Sequence, residues 1–180
     1  MERVTFYCYA NKTRSPGMKA YADFLKPEGY DVVTDSAGVS RRTMERLQGA
    51  SRTRASSWLV RKMESRGILQ IRGHVPKLAT PELVADSKWN LAATRMVRDK
   101  LLELYPEHGD IILTLKGFLG YGEGDDPALD IRDPCTPEGN SSDWYVQGKV
   151  MKDTEEAQDM FLEEVERLIR EFWSKYMPGL

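Results

Sequence analysis

The first sixteen residues constrain this chain most. Val4-Thr5-Phe6-Tyr7 is all β-branched or aromatic and reads as a strand. It runs into Cys8-Tyr9-Ala10-Asn11-Lys12-Thr13-Arg14 and then Ser15-Pro16, where the hydroxyl can cap a helix and proline suits its first turn. A strand handed to a helix through one short loop is the opening of an α/β unit. The helix runs to about Leu25 with Met18, Ala22 and Leu25 on one stripe, and Gly29 closes the segment. Tyr30-Asp31-Val32-Val33-Thr34 follows as a second strand and Asp35-Ser36-Ala37-Gly38 as a turn.

The rest of the chain repeats this alternation. An amphipathic helix is predicted from about Ser51 to Ser65, carrying Trp58, Leu59, Val60 and Met63 and closed by Gly67. Ile68–Ile71 reads as a short third strand, Pro81–Asp86 as a weaker one, and Trp89–Leu104 as a helix. Asp110–Leu115 is nearly all apolar, as buried parallel strands are. Gly117–Asn140 reads as loop, and Asp153 to about Tyr176 as a long helix bearing Met160, Phe161, Val165, Leu168, Ile169 and Phe172. Strands separated by helices over the whole length predict one domain, residues 1–180. Its fold is a doubly wound α/β sheet of about four parallel strands with helices on both faces and a phosphate-binding loop between the first strand and the first helix.

A chain of 180 residues, 41% hydrophobic and 30% charged, buries a core without staples. No apolar run approaches the roughly 20 residues a bilayer crossing needs, and the opening residues carry no signal-peptide apolar core. Two cysteines, Cys8 and Cys135, exclude a disulfide scaffold and an all-cysteine zinc site, and a reducing cytoplasm is the expected compartment. The net charge of -2 hides an asymmetry. Arg41–Lys77 holds ten Lys and Arg against Glu45 and Glu64, while Tyr121–Glu166 is strongly acidic. The basic residues alternate with helix-forming apolar ones, which argues for solvated faces of opposite sign and against a nucleic-acid patch. His74 and His108 share no ligand spacing and read as surface histidines, so no metal is expected, nor any other cofactor. Trp58, Trp89 and Trp173 sit on helical stripes and read as core.

Chemistry concentrates in the first loop. The unpaired N–H groups between a strand end and a helix N-terminus point inward, and the helix dipole adds positive potential, so Tyr9, Ala10, Asn11, Lys12, Thr13 and Ser15 form an anion cradle. A sulfur at its base, Cys8, is placed to attack what the cradle holds, and the planar fork of Arg14 can take two phosphate oxygens. A general acid for the leaving oxygen must come from another loop at the carboxyl end of the sheet. Asp133 in Asp130-Ile131-Arg132-Asp133-Pro134 is the first choice, and Asp126-Pro127 is the second.

Val4–Cys8 followed by Asn11 and Arg14-Ser15-Pro16 resembles the signature of the low-molecular-weight protein tyrosine phosphatases. In that family a Cys-x5-Arg-Ser loop follows the first strand and a late Asp-Pro supplies the acid. The resemblance implies that Ser36, in Asp35-Ser36-Ala37-Gly38, bonds Asn11, and that Asp133 outranks Asp126 through the Asp-Ile-x-Asp-Pro form. It covers nearly the whole chain. Four positions depart from the family pattern. Ala10 stands where glycine is usual, Lys12 makes the rim more cationic, Thr13 replaces a second loop cysteine, and Cys135-Thr136 stands where an aromatic wall is usual. Trp144-Tyr145 is a candidate replacement for that wall. Cys135 is also a candidate redox partner for Cys8, whose signature would be a Cys8–Cys135 crosslinked peptide after peroxide.

The expected activity is hydrolysis of phosphomonoesters on a phosphorylated protein, with phosphotyrosine first, through a cysteinyl-phosphate intermediate. Two enzymes on the same loop are alternatives. One is a protein arginine phosphatase. The other is a thiol-coupled arsenate reductase, which needs a relay of thiols where only Cys135 is available. A phosphate-recognising or nucleic-acid-binding module is the non-enzyme alternative; its nucleic-acid form would weaken steeply with salt.

Overall fold

A computed structural model describes residues 1–42, 54–132, 134, 145–146, 149–150 and 155–177. Strand β1 (Glu2–Cys8) lies at the centre of a parallel four-stranded sheet beside β2 (Val32–Gly38) and β3 (Trp89–Ala92), with β4 (Ile112–Thr114) outside β3. The order β2-β1-β3-β4 reverses direction between β1 and β3, and at such a switch point doubly wound sheets open a crevice at their carboxyl edge. A separate antiparallel pair joins β5 (Tyr145–Val146) to β6 (Lys149–Val150).

Alternate side chains of β1 supply the two cores. Val4, Phe6 and Cys8 face helices α1 (Arg14–Phe24), α2 (Ser57–Ser65) and α6 (Glu155–Tyr176) through Met18, Leu59, Phe161 and Phe172. Tyr7 faces the other way, toward Val84 of α3 (Pro81–Ala85) and Val97 and Leu101 of α4 (Arg95–Leu104). A short helix α5 (Leu115–Leu119) follows β4 directly. No described helix is long and apolar enough to cross a membrane.

The α/β architecture with a parallel sheet follows the expectation from sequence, but several elements differ. Asp35–Gly38 is strand, not turn: its small and polar residues pair in register with Thr5–Cys8, and the ladder overrides their turn propensity. Ile68–Ile71 is not a strand; Gly67 takes φ +79° and Leu69–Ile71 coils into a 3-10 turn that buries Ile68 and Ile71. Within the Pro81–Asp86 stretch, Pro81–Ala85 is helix and not strand, because the Thr80 hydroxyl accepts from the Leu83 N–H at 3.2 Å and Pro81 fits the first turn. The expected helix from Trp89 divides into β3 and α4, and the Thr94 hydroxyl caps α4 by accepting from the Val97 N–H. Trp89 is therefore half-buried on a strand, edge-on to Phe118, rather than on a helical stripe. Gly117–Asn140 is not all loop, since α5 runs to Leu119 and Pro127–Leu129 is a 3-10 turn. Part of the opposite charge does meet across the fold, where Lys62 and Arg66 reach Asp159 at 2.8 and 3.3 Å.

Candidate active site

Cys8 closes β1 with 4% of its surface exposed, and the loop to Arg14 passes over the carboxyl end of the sheet. Two ladder-like bonds hold its start, since Val39 N–H donates to the Cys8 carbonyl and Ser40 N–H to that of Tyr9. The far side is tied by Ser56, whose N–H donates to the Lys12 carbonyl at 2.8 Å and whose hydroxyl pairs with that of Thr13 at 2.7 Å.

The loop turns at Asn11, the one described non-glycine residue with positive φ, +54°. Asparagine tolerates this left-handed conformation better than other side chains. The strain therefore falls on Asn11 and not on Ala10. Fully buried, Asn11 is held on four sides. Its amide nitrogen donates to Ser15 Oγ at 2.9 Å and Ser36 Oγ at 3.0 Å, and its Oδ1 accepts from the Lys77 N–H at 3.0 Å. Its carbonyl lies 2.8 Å from His74 Nε2, so that nitrogen carries the hydrogen. Burial pushes the His74 pKa below its ordinary value and keeps the ring neutral, with Lys19 and Lys77 acting in the same direction.

Ser15 does not cap α1. The helix begins at Arg14 behind Thr13, whose side chain makes no cap bond, and the Ser15 hydroxyl points inward, 3.0 Å from Cys8 Sγ. Asn11, Ser15 and Cys8 thus form a chain of donors that ends on the sulfur. Gly38 makes room for it. A Cβ at Gly38 would stand 2.8 Å from the Tyr9 carbonyl oxygen and 3.1 Å from the Asn11 nitrogen.

Arg14, 8% exposed, extends one NH group toward the Ile131 carbonyl at 3.5 Å. That contact brings the Asp130–Ile131 segment to the crevice, where Ile131 N–H also donates to the Ala93 carbonyl at the end of β3. Ile131 and Pro134 are buried and Arg132 is exposed. Asp133, Cys135 and Trp144 lie outside the described residues, as does the side chain of Tyr145. Asp126 is turned to local work, its carboxylate accepting from the Ala128 N–H at 2.8 Å.

His74 and Lys77 therefore support the loop, although nothing in the sequence singled them out for it. His74 in particular is not a surface histidine. Gly38 and Asp130 stand inside segments that the resemblance marked, Asp35–Gly38 and Asp130–Pro134, without a task of their own being legible there. Among the described residues, no three His, Cys, Asp or Glu side chains gather as a metal-holding group.

No family model matches the chain, and no curated protein matches it by sequence. Solved structures match it over nearly its whole length. A low-molecular-weight protein tyrosine phosphatase from T. tengcongensis is 27% identical with a TM-score of 0.71, covering 97% of this chain and 99% of that one. The YwlE arginine phosphatase from Geobacillus stearothermophilus is 25% identical with a TM-score of 0.70, covering 98% and 93%. A low-molecular-weight protein tyrosine phosphatase from Bacillus subtilis is 21% identical with a TM-score of 0.67, covering 97% of each chain. With this sheet and this loop, the chain has the fold of the low-molecular-weight protein tyrosine phosphatases, and its structural neighbours are protein tyrosine and arginine phosphatases.

Proposed function

We propose that the protein is a cysteine-dependent protein phosphatase that removes phosphate from phosphomonoesters, phosphotyrosine first, in a reducing cytoplasm. The observation that carries this reading is the Ser15 hydroxyl 3.0 Å from Cys8 Sγ, at the floor of a loop that leads into a helix N-terminus. The Cys8 sulfur attacks phosphorus in line while the loop N–H groups and Arg14 hold the equatorial oxygens. As the S–P bond forms, the P–O bond to the alcohol breaks and the departing oxygen takes the proton of Asp133. Water then gives a proton to Asp133 and attacks phosphorus. The S–P bond breaks, inorganic phosphate leaves, and the anionic sulfur returns to the Ser15 hydroxyl.

A second reading, a protein arginine phosphatase, is favoured by the likeness to the Geobacillus enzyme. The same sulfur would then break a P–N bond. Lys12 weighs against it, because a cation in the loop repels the guanidinium of phosphoarginine.

Hydrolysis of p-nitrophenyl phosphate by wild type, Cys8→Ser and Asp133→Ala, in chelator, tests the mechanism. Activity lost in Cys8→Ser is the expected result, with Asp133→Ala lowering it modestly on this ester and about 100-fold or more on phenyl phosphate, whose leaving group needs the proton. Turnover retained by Cys8→Ser would overturn it. Phosphotyrosine and phosphoarginine peptides then separate the two readings.

A further inference from the structure

Lys116 and Arg95 converge on Asp130. The Asp130 carboxylate accepts from the Arg95 backbone N–H at 2.6 Å, at the positive end of α4, and from the Arg95 guanidinium at 2.9 Å. Its carbonyl accepts from Lys116 Nζ at 2.9 Å. The same ammonium is paired with Glu164 of α6 at 2.6 Å, and both side chains are largely buried. The next residue, Ile131, donates to Ala93 and presents its carbonyl to Arg14. Two consecutive residues are thus held from α4, from α5 and from the residue after β3, with α6 backing Lys116. Burying a lysine and a glutamate is costly, and well-packed apolar residues of the same size hold a fold as well or better. The ammonium's particular work here is to fix one backbone carbonyl.

We infer that Lys116, supported by Glu164, and Arg95 are positioning residues of the reaction, acting through Asp130 to fix the Asp130–Ile131 backbone from which the proposed general acid Asp133 follows two residues on. The inference rests on the proposed phosphatase reading. Asp133 follows Ile131 by two residues in the sequence, and it is the Ile131 carbonyl that meets Arg14. An acid held to a fraction of an ångström protonates the leaving oxygen, and one released from its clamp does so only part of the time.

The test is kcat/KM for two esters, p-nitrophenyl phosphate, whose leaving group departs with little protonation, and phenyl phosphate, whose leaving group needs it. The first variant is Lys116→Met with Glu164→Leu, so that no carboxylate stays buried alone. The second is Asp130→Asn, which keeps the shape and removes the charge. Both are expected to lose about 10-fold or more on phenyl phosphate and much less on the nitrophenyl ester, with inhibition by inorganic phosphate unchanged. Equal losses on both esters, or none, would overturn the inference. Asp133→Asn run in parallel separates the two ideas. If only Asp133→Asn depends on the leaving group, the clamp fails and the proposed mechanism stands. If only the clamp variants do, the acid is a different group on the clamped segment. If none does, both fall.

Discussion

The Ser15 hydroxyl donates to Cys8 Sγ at 3.0 Å while accepting from Asn11 at 2.9 Å, and the sulfur is its nearer acceptor, the Ala37 carbonyl standing at 3.4 Å. A hydrogen bond to an ionised partner contributes about 1.5–3 kcal/mol. The bond matters most when the sulfur carries full negative charge, before attack and as the thiophosphate breaks. Ser15→Ala is expected to lower kcat about 10- to 100-fold. Stopped-flow burst kinetics on p-nitrophenyl phosphate would check this, and an unchanged kcat would remove Ser15 from the mechanism.

Gly38 supports the loop by what it lacks. Paired with Cys8 across β1 and β2, it lets the Tyr9–Asn11 backbone pass where a methyl group would stand 2.8 Å from a carbonyl oxygen. That neighbour is backbone and cannot swing aside. Gly38→Ala is expected to cost about 1–3 kcal/mol in urea unfolding and to weaken inhibition by inorganic phosphate. Normal phosphate inhibition in a destabilised variant would mean that the strain is relieved in β2 and not in the loop.

What was legible in the sequence was mostly local. Cys8 to Arg14 is one uninterrupted run between a strand and a helix, so spacing alone outlines the cradle. Ser15 was legible as a member but not in its task, because the hydroxyl that could cap α1 turns to a sulfur seven residues back. His74 and Lys77 meet the loop only after the chain has folded, and no spacing marks them. The misread elements have a common cause. Thr80 and Thr94 each accept from the N–H three residues on, and each was overlooked as the start of a helix. Asp35–Gly38 failed in the opposite direction, since its turn chemistry was real but pairing with β1 prevailed.

Asn11 separates backbone strain from side-chain bonding. Its φ of +54° costs an ordinary L-residue about 1–2 kcal/mol, which glycine avoids. Asn11→Gly and Asn11→Ala both lose the amide bonds to Ser15, Ser36 and Lys77, so both are expected to lose activity. Only the alanine variant adds the strain, and urea titration should place it below the glycine variant by about 1 kcal/mol. Equal stabilities would show that the loop relaxes out of the left-handed region once the side chain is gone.

His74 ties the loop to acidity. Burial lowers its pKa below the ordinary 6.5, so between that value and the folded one the unfolded chain binds a proton that the folded protein does not. Its contribution to stability is fully present above 6.5 and is lost as pH falls through the lowered folded value. The urea midpoint of wild type is therefore expected to fall on acidification below 6.5. His74→Gln keeps a donor for the Asn11 carbonyl but has no proton to gain, so part of that acid dependence should vanish. An identical pH profile in the two proteins would show that the ring's protonation is not coupled to folding, and that the hydrogen bond to Asn11 survives with the ring charged.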